Sequence, residues 1–147
     1  MSPKNLVAHH FIANLTTRQY GSNPTSDLLG VDYWIAIPEE RELPIRLERI
    51  DLFTRFYLQN VERAIFRVEL ATDSRRGDSQ ETVSGFGPYD VSFRNGSSVA
   101  DHVFRMSNVV LNRVGMFTVR LYRRRKSRFR GIVWRPLCET HFYLVQT

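Results

Sequence analysis

Cysteine is almost absent: Cys138 is the only one in 147 residues, so the chain has no internal disulfide and depends on a buried apolar core. A chain of this length buries about two-thirds of the surface its unfolded form exposes, which is enough without such staples. Long apolar runs are missing too. No stretch approaches the roughly 20 apolar residues of a membrane-spanning helix. The first twenty residues mix charge, histidine and polar groups where a secretory signal needs an apolar run. The expectation is therefore a cytoplasmic protein with no membrane contact. Lysine is scarce at two residues, and acids are scarce in the last third, where only Asp101 and Glu139 occur.

What is present is a globular composition, 42% hydrophobic and 24% charged, with 10 Phe, 6 Tyr and 2 Trp. It predicts one domain over 1–147 and excludes a collagen-like fibre or a disordered chain. Charge is unevenly placed. Residues 1–100 carry 11 basic and 13 acidic side chains, residues 101–147 carry 10 and 2, and the net +6 thus comes from the C-terminal third. Nineteen of the 21 basic residues are Arg, the side chain suited to planar, bidentate contact with anions and to stacking.

Hydrophobicity alternates with period two, and runs at helical spacing are rare. Ile50, Leu52, Thr54, Phe56 and Leu58 alternate with Asp51, Phe53, Arg55 and Tyr57. After a short connection at Gln59-Asn60, Ala64, Phe66, Val68 and Leu70 alternate with Arg63, Ile65, Arg67 and Glu69. Phe117, Val119 and Leu121 form a third such set, and Cys138, Thr140, Phe142 and Leu144 a fourth. Segments rich in Gly, Pro, Asn, Asp and Ser separate them: Thr16 to Asp27, Pro38 to Pro44, Thr72 to Glu81 and Asn95-Gly96-Ser97-Ser98. The reading is an all-β antiparallel sandwich of about eight to nine strands, with Leu52, Phe56, Phe66, Val68, Phe117, Val119, Leu121 and Phe142 in its core. Trp34 and Trp134 are read as further core anchors.

Phe11 to Leu15 with Leu28-Leu29-Gly30-Val31, the strand Leu52 to Leu58 with its partner Phe66 to Leu70, and Arg113-Val114-Gly115-Met116-Phe117-Thr118-Val119 follow one another in a suggestive order. This order resembles a group of small bacterial proteins of unknown function built as a single immunoglobulin-like β-sandwich. The resemblance implies that fold and brings no catalytic residues. Val114 and Phe117 stand where that pattern often has proline and tyrosine.

The densest chemical signal is Arg120, Tyr122, Arg123, Arg124, Arg125, Lys126, Arg128, Phe129 and Arg130, seven cations interleaved with two aromatics. Cations neutralise phosphates and aromatic faces stack on unpaired bases, so the segment suits a nucleic acid or another polyanion. The competing reading is a solvated loop joining two strands, with Tyr122 and Phe129 as packing anchors. Cys138-Glu139-Thr140-His141 does not make a nucleophile, because residues 138 and 141 point to opposite faces of a strand. His9 and His10 likewise diverge, and with His102 and His141 they form no ligand spacing. Asp27, Asp32, Glu39, Glu40 and Glu42 lack a calcium-loop spacing. Gly85-Phe86-Gly87-Pro88 reads as a bulge or turn within a strand, with no phosphate-loop lysine. Asn14-Leu15-Thr16 and Asn95-Gly96-Ser97 spell glycosylation acceptors without a secretory context, and Arg76-Gly77-Asp78 spells an adhesion tripeptide that occurs by chance.

With no catalytic constellation, metal site or small-molecule cofactor expected, the leading reading is a non-catalytic binding or adaptor module. It would present loops and sheet edges to a protein partner or to a second copy of itself. Polyanion binding through residues 120–130 is the alternative, and a structural part of a larger assembly is another.

Overall fold

In a computed structural model of the chain, residues 5–13, 18–19, 26–27, 34–73, 80–94, 96 and 98–147 are described, the first three segments and residues 73 and 80–83 as backbone only. They form strands and no helix: β1 (Asn5–Ala13), β2 (Arg18–Gln19), β3 (Ser26–Asp27), β4 (Trp34–Ile37), β5 (Ile45–Gln59), β6 (Arg63–Asp73), β7 (Gln80–Ser92), β8 (Val99–Leu111), β9 (Gly115–Ser127) and β10 (Gly131–Gln146). The fold is all-β, as the period-two patterning requires. Asp32, Arg76-Gly77-Asp78 and most of the turn from Thr16 to Asp27 lie outside the described residues.

Two sheets share one core. The first has the order β1-β5-β8 and the second β4-β10-β9-β6-β7, with β2 and β3 as a separate short pair. The chain passes from the first sheet to the second between β5 and β6, back between β7 and β8, and across again into β9. The second sheet is not wholly antiparallel as expected, because β4 runs parallel to β10. All eight expected core residues are buried. Phe66 is central: its ring lies 5.0 Å from Phe56, 5.4 Å from Phe104 and 6.4 Å from Phe93. Edge-to-face pairs such as Phe66 with Phe104 add about 0.5–1.5 kcal/mol each beyond area burial.

The alternation in β5 holds from Ile50 to Phe56, then shifts phase toward the strand's start, where Ile45 and Leu47 pack inward. β8 shifts at the same level, from Phe104 and Met106 to Val109 and Leu111. The β5–β8 register runs unbroken through this point, from Leu52↔Phe104 to Leu47↔Val109. The two strands thus turn over together at Asn108, whose φ of 55° lies in the left-handed region that Asn tolerates.

On the face of the first sheet away from the core, charges pair across strands. Arg55 donates two hydrogen bonds to Asp101 (2.8 and 3.1 Å), and the buried Asp51 lies 3.1 Å from Arg49 and 3.6 Å from Arg105. The sheets are fastened at one edge by Tyr89 of β7, whose hydroxyl donates to the Arg105 carbonyl of β8 (2.8 Å) and whose ring meets Phe104 edge-on. Gly87 permits this approach. Its φ is +115°, and a Cβ there would come within 3.1 Å of the Phe66 carbonyl and the Tyr89 ring. The expected irregularity in this segment is present as register shifts between β6 and β7.

Phe66→Ala should cost about 3–5 kcal/mol, read from the midpoint of urea unfolding. His102, edge-on to Phe104, has its pKa lowered from the usual imidazole range by burial. The folded state then binds fewer protons than the unfolded one, so stability is full at neutral pH and falls on acidification through about pH 6.5. His102→Gln should flatten that fall in melting temperature.

Candidate nucleic-acid interface

Residues 123–127 do not form the expected loop. β9 runs to Ser127 and β10 begins at Gly131, leaving only Arg128, Phe129 and Arg130 in the turn. Ser127 Oγ accepts from the Arg130 amide (3.3 Å) and Gly131 supplies a φ of 70°, so a tight hairpin is closed with turn chemistry alone. A strand rather than a loop means the cations are sorted by face. Arg120, Tyr122, Arg124 and Lys126 project outward, whereas Arg123 and Arg125 continue the side of Phe117, Val119 and Leu121.

On the outward face, cations away from the hairpin tip are neutralised. Arg120 donates to Glu139 (3.1 Å), and this contact raises its pKa. Arg67 of β6 bonds Glu69 (3.0 Å), and its guanidinium lies 5.6 Å from the centres of both the Tyr122 and Trp134 rings. Arg63 pairs with Asp90. These contacts bind β6, β7, β9 and β10 together and engage Arg120 and Tyr122 within the sheet. Trp134 is therefore not a core anchor. Trp34 is not one either: it is 54% exposed and stacks on Tyr143 of β10 with ring centres 4.8 Å apart. Phe129, a possible packing anchor, is 93% exposed at the hairpin tip.

The remaining cations differ. Among the described residues no carboxylate lies within ion-pair distance of Arg123, Arg124, Arg125, Lys126, Arg128 or Arg130. The β6–β9 ladder ends at Phe66↔Arg123, while β6 stays paired with β7 and β9 with β10. Beyond that point the sheet parts into two ribbons, with an open groove of about 330 Å³ between them. Its walls are Arg63, Ala64 and Ile65 on one side and Arg123, Arg124, Arg125, Lys126 and Ile132 on the other. Arg123 is 7% exposed, and its Nε has no hydrogen-bond acceptor. Burial, and then the neighbouring Arg125, lower its pKa. Both effects act against the charge, yet arginine stays protonated in proteins. Arg63 and Ile132 were not singled out in the sequence, since only the β6–β9 register brings Arg63 to this groove.

Cys138 and His141 are separate, as the strand parity requires. Cys138 packs against the core, and His141 Nδ1 meets Thr118 Oγ1 at 3.0 Å on the other face. The side chains of His9 and His10 lie outside the described residues, and no group of three metal-ligating side chains occurs among those described. Glu39, Glu40 and Glu42 sit on an exposed turn between β4 and β5. No helix of the described residues is long and apolar enough to cross a membrane. Comparison of the chain with protein-family models, curated proteins and solved structures finds no match.

Burial pushes the Cys138 thiol up to about 12. At pH 8 it is a neutral thiol, so alkylation by iodoacetamide should be slow in the native protein and rapid in urea. Because the folded pKa lies above the unfolded one, the associated stability should decline only as pH rises past about 9.

Proposed function

We propose that this chain is a non-catalytic binding module of the immunoglobulin-like sandwich type that holds a polyanion, single-stranded nucleic acid in the first instance, at the cationic end of the β9–β10 hairpin. The observation that carries this reading is the set of cations from Arg123 to Arg130, which have no carboxylate within ion-pair distance at and beside an open groove, while Arg63, Arg67 and Arg120 are paired. Arg presents a fork that matches phosphate oxygens, and the exposed Phe129 is available to stack on a base.

The strand order supports the immunoglobulin-like assignment. In that fold one sheet contains strands B and E and the other G, F, C and C′. Here β5 and β8 pair in one sheet, and β10, β9, β6 and β7 follow one another in the second, with β4 added beside the last strand. The groove then lies at the end carrying the B–C and F–G connections, where variable domains carry their binding loops. This analogy bears on where a ligand sits and leaves its identity to the groove's chemistry. The family resemblance fits the same architecture.

A second reading, contact with a protein partner or a second copy, is favoured by the exposed Trp34–Tyr143 stack at the β4–β10 edge. Strand addition is the weaker form of it. Among the described residues β10 pairs with β4 only over Tyr143–Gln146, and the rest of that edge carries Pro136 and a bulge, features that deter another strand.

Fluorescence anisotropy with a labelled single-stranded oligonucleotide tests the first reading. Affinity should fall steeply with salt, and Arg124→Gln/Arg125→Gln/Lys126→Gln should weaken it and reduce the slope of log K against log salt by about 2, near 0.7 per lost phosphate contact. No binding at low salt, or binding that this triple variant leaves unchanged, would direct the search to the Trp34–Tyr143 face.

A further inference from the structure

We infer that the groove between the parted ends of β6 and β9 is a preformed seat for one phosphate group, with Arg123 as its anchoring side chain; as a seat for a nucleic-acid strand it rests on the polyanion reading above. The inference starts from how the other arginines are treated. Arg49 and Arg105 have Asp51, Arg55 has Asp101, Arg63 has Asp90, Arg67 has Glu69 and Arg120 has Glu139. Three described arginines have a buried Nε with no acceptor: Arg67, Arg113 and Arg123. Of these, Arg67 has its carboxylate and Arg113 is only half-buried, while Arg123 is more than nine-tenths buried with none.

A guanidinium in that position has few ways out. It cannot lose its proton, and burial has removed most of its water. Its stem continues the apolar row of Val119 and Leu121 and lies opposite Phe66, so the end of the core holds it in place. What the site lacks is an anion with several acceptor oxygens. Arg124, Arg125 and Lys126 line the same groove with no carboxylate within ion-pair distance, while Asp90 accepts from Arg63 and feels the charge of Arg124. Arg125 on the same side of β9 as that fork, with Arg124 and Lys126 on the strand's other face but lining the same groove, suits the distributed charge of a phosphate better than a single carboxylate. A volume of about 330 Å³ holds a phosphate and leaves room for the sugar it belongs to. Ile132 (58% exposed) and Phe129 add apolar surface on the same hairpin for a neighbouring base.

The seat would take an internal phosphodiester, a terminal phosphate or free phosphate, and the experiment separates them. In uniformly ¹⁵N-labelled protein, the Arg123 Nε–Hε resonance should move saturably on titration with orthophosphate and stay still with chloride at equal ionic strength. Tighter binding of a 5′-phosphorylated oligonucleotide than of its unphosphorylated twin would support a seat for a terminal phosphate, and equal salt-sensitive binding a seat for an internal one. Arg123→Met, which keeps length and apolar stem, should lower orthophosphate affinity about ten-fold, as one lost charge-assisted pair implies, and reduce the oligonucleotide salt slope by about 0.7. Should that variant not fold, the titration of the wild-type protein decides alone. An Arg123 resonance indifferent to orthophosphate would overturn the seat, and oligonucleotide binding that persists beside it would leave the wider polyanion reading standing. Saturable phosphate binding without oligonucleotide binding would do the reverse. Capture of poly-glutamate in preference to orthophosphate would overturn the assignment to phosphate.

Discussion

Phe66 is the residue through which most of the structure is connected. It faces Tyr89 on β7 and Arg123 on β9 in the second sheet, and its ring packs on Phe56 and Phe104 from across the core and on Phe93 just past the end of β7. The nearby backbone is shaped around it, since the Phe66 carbonyl leaves no room for a Cβ at Gly87. Side chains in such a core interdigitate at near-crystalline density, so the position of one large ring constrains several strands together. Phe66 also marks where β9 leaves β6. Core and candidate site therefore meet at one residue pair, Phe66 and Arg123.

Charge in the second sheet follows two rules on either side of that pair. Along the part of the sheet where β6 and β9 pair, Arg67 and Arg120 each have a carboxylate, and Arg67 additionally lies against two aromatic rings. Exposed pairs of this kind contribute little individually, about 0–1 kcal/mol. Their effect is to fix which side chains face which across three strands. Beyond Arg123 Asp90 pairs with Arg63, and the cations of β9 continue with no carboxylate within ion-pair distance. Mutual repulsion among Arg124, Arg125 and Lys126 works against the folded hairpin, and an anion between the ribbons would remove it.

The legible part of the fold was the part that alternation encodes. In strands with one buried face, a two-residue period names the inward side chains directly, and Leu52, Phe56, Phe66, Val68, Phe117, Val119, Leu121 and Phe142 were all recognisable in that way. Alternation was silent where it changed phase, so the start of β5 and the turnover at Asn108 were not visible. It also misled at the tryptophans, because large apolar rings on an outer sheet face can stack on Tyr143 or lie beside Arg67 without entering the core. The basic run was read as a loop because charge density obscured its pattern. In the strand, Arg123 and Arg125 simply extend the inward phase of Leu121.

By itself the sequence determined the all-β class, the core set, the inert setting of the lone cysteine and the concentration of arginine in the last third, because each follows from local periodicity or composition. The tertiary structure decided which arginines keep a free charge. For Arg123 that outcome depends on β6 lying beside β9, a pairing between residues 45 to 57 positions apart in the chain that ends at Phe66↔Arg123. Only this non-local register sets Arg67 against the Tyr122 ring, places Arg123 opposite Phe66 at the end of the core and opens the groove beside it.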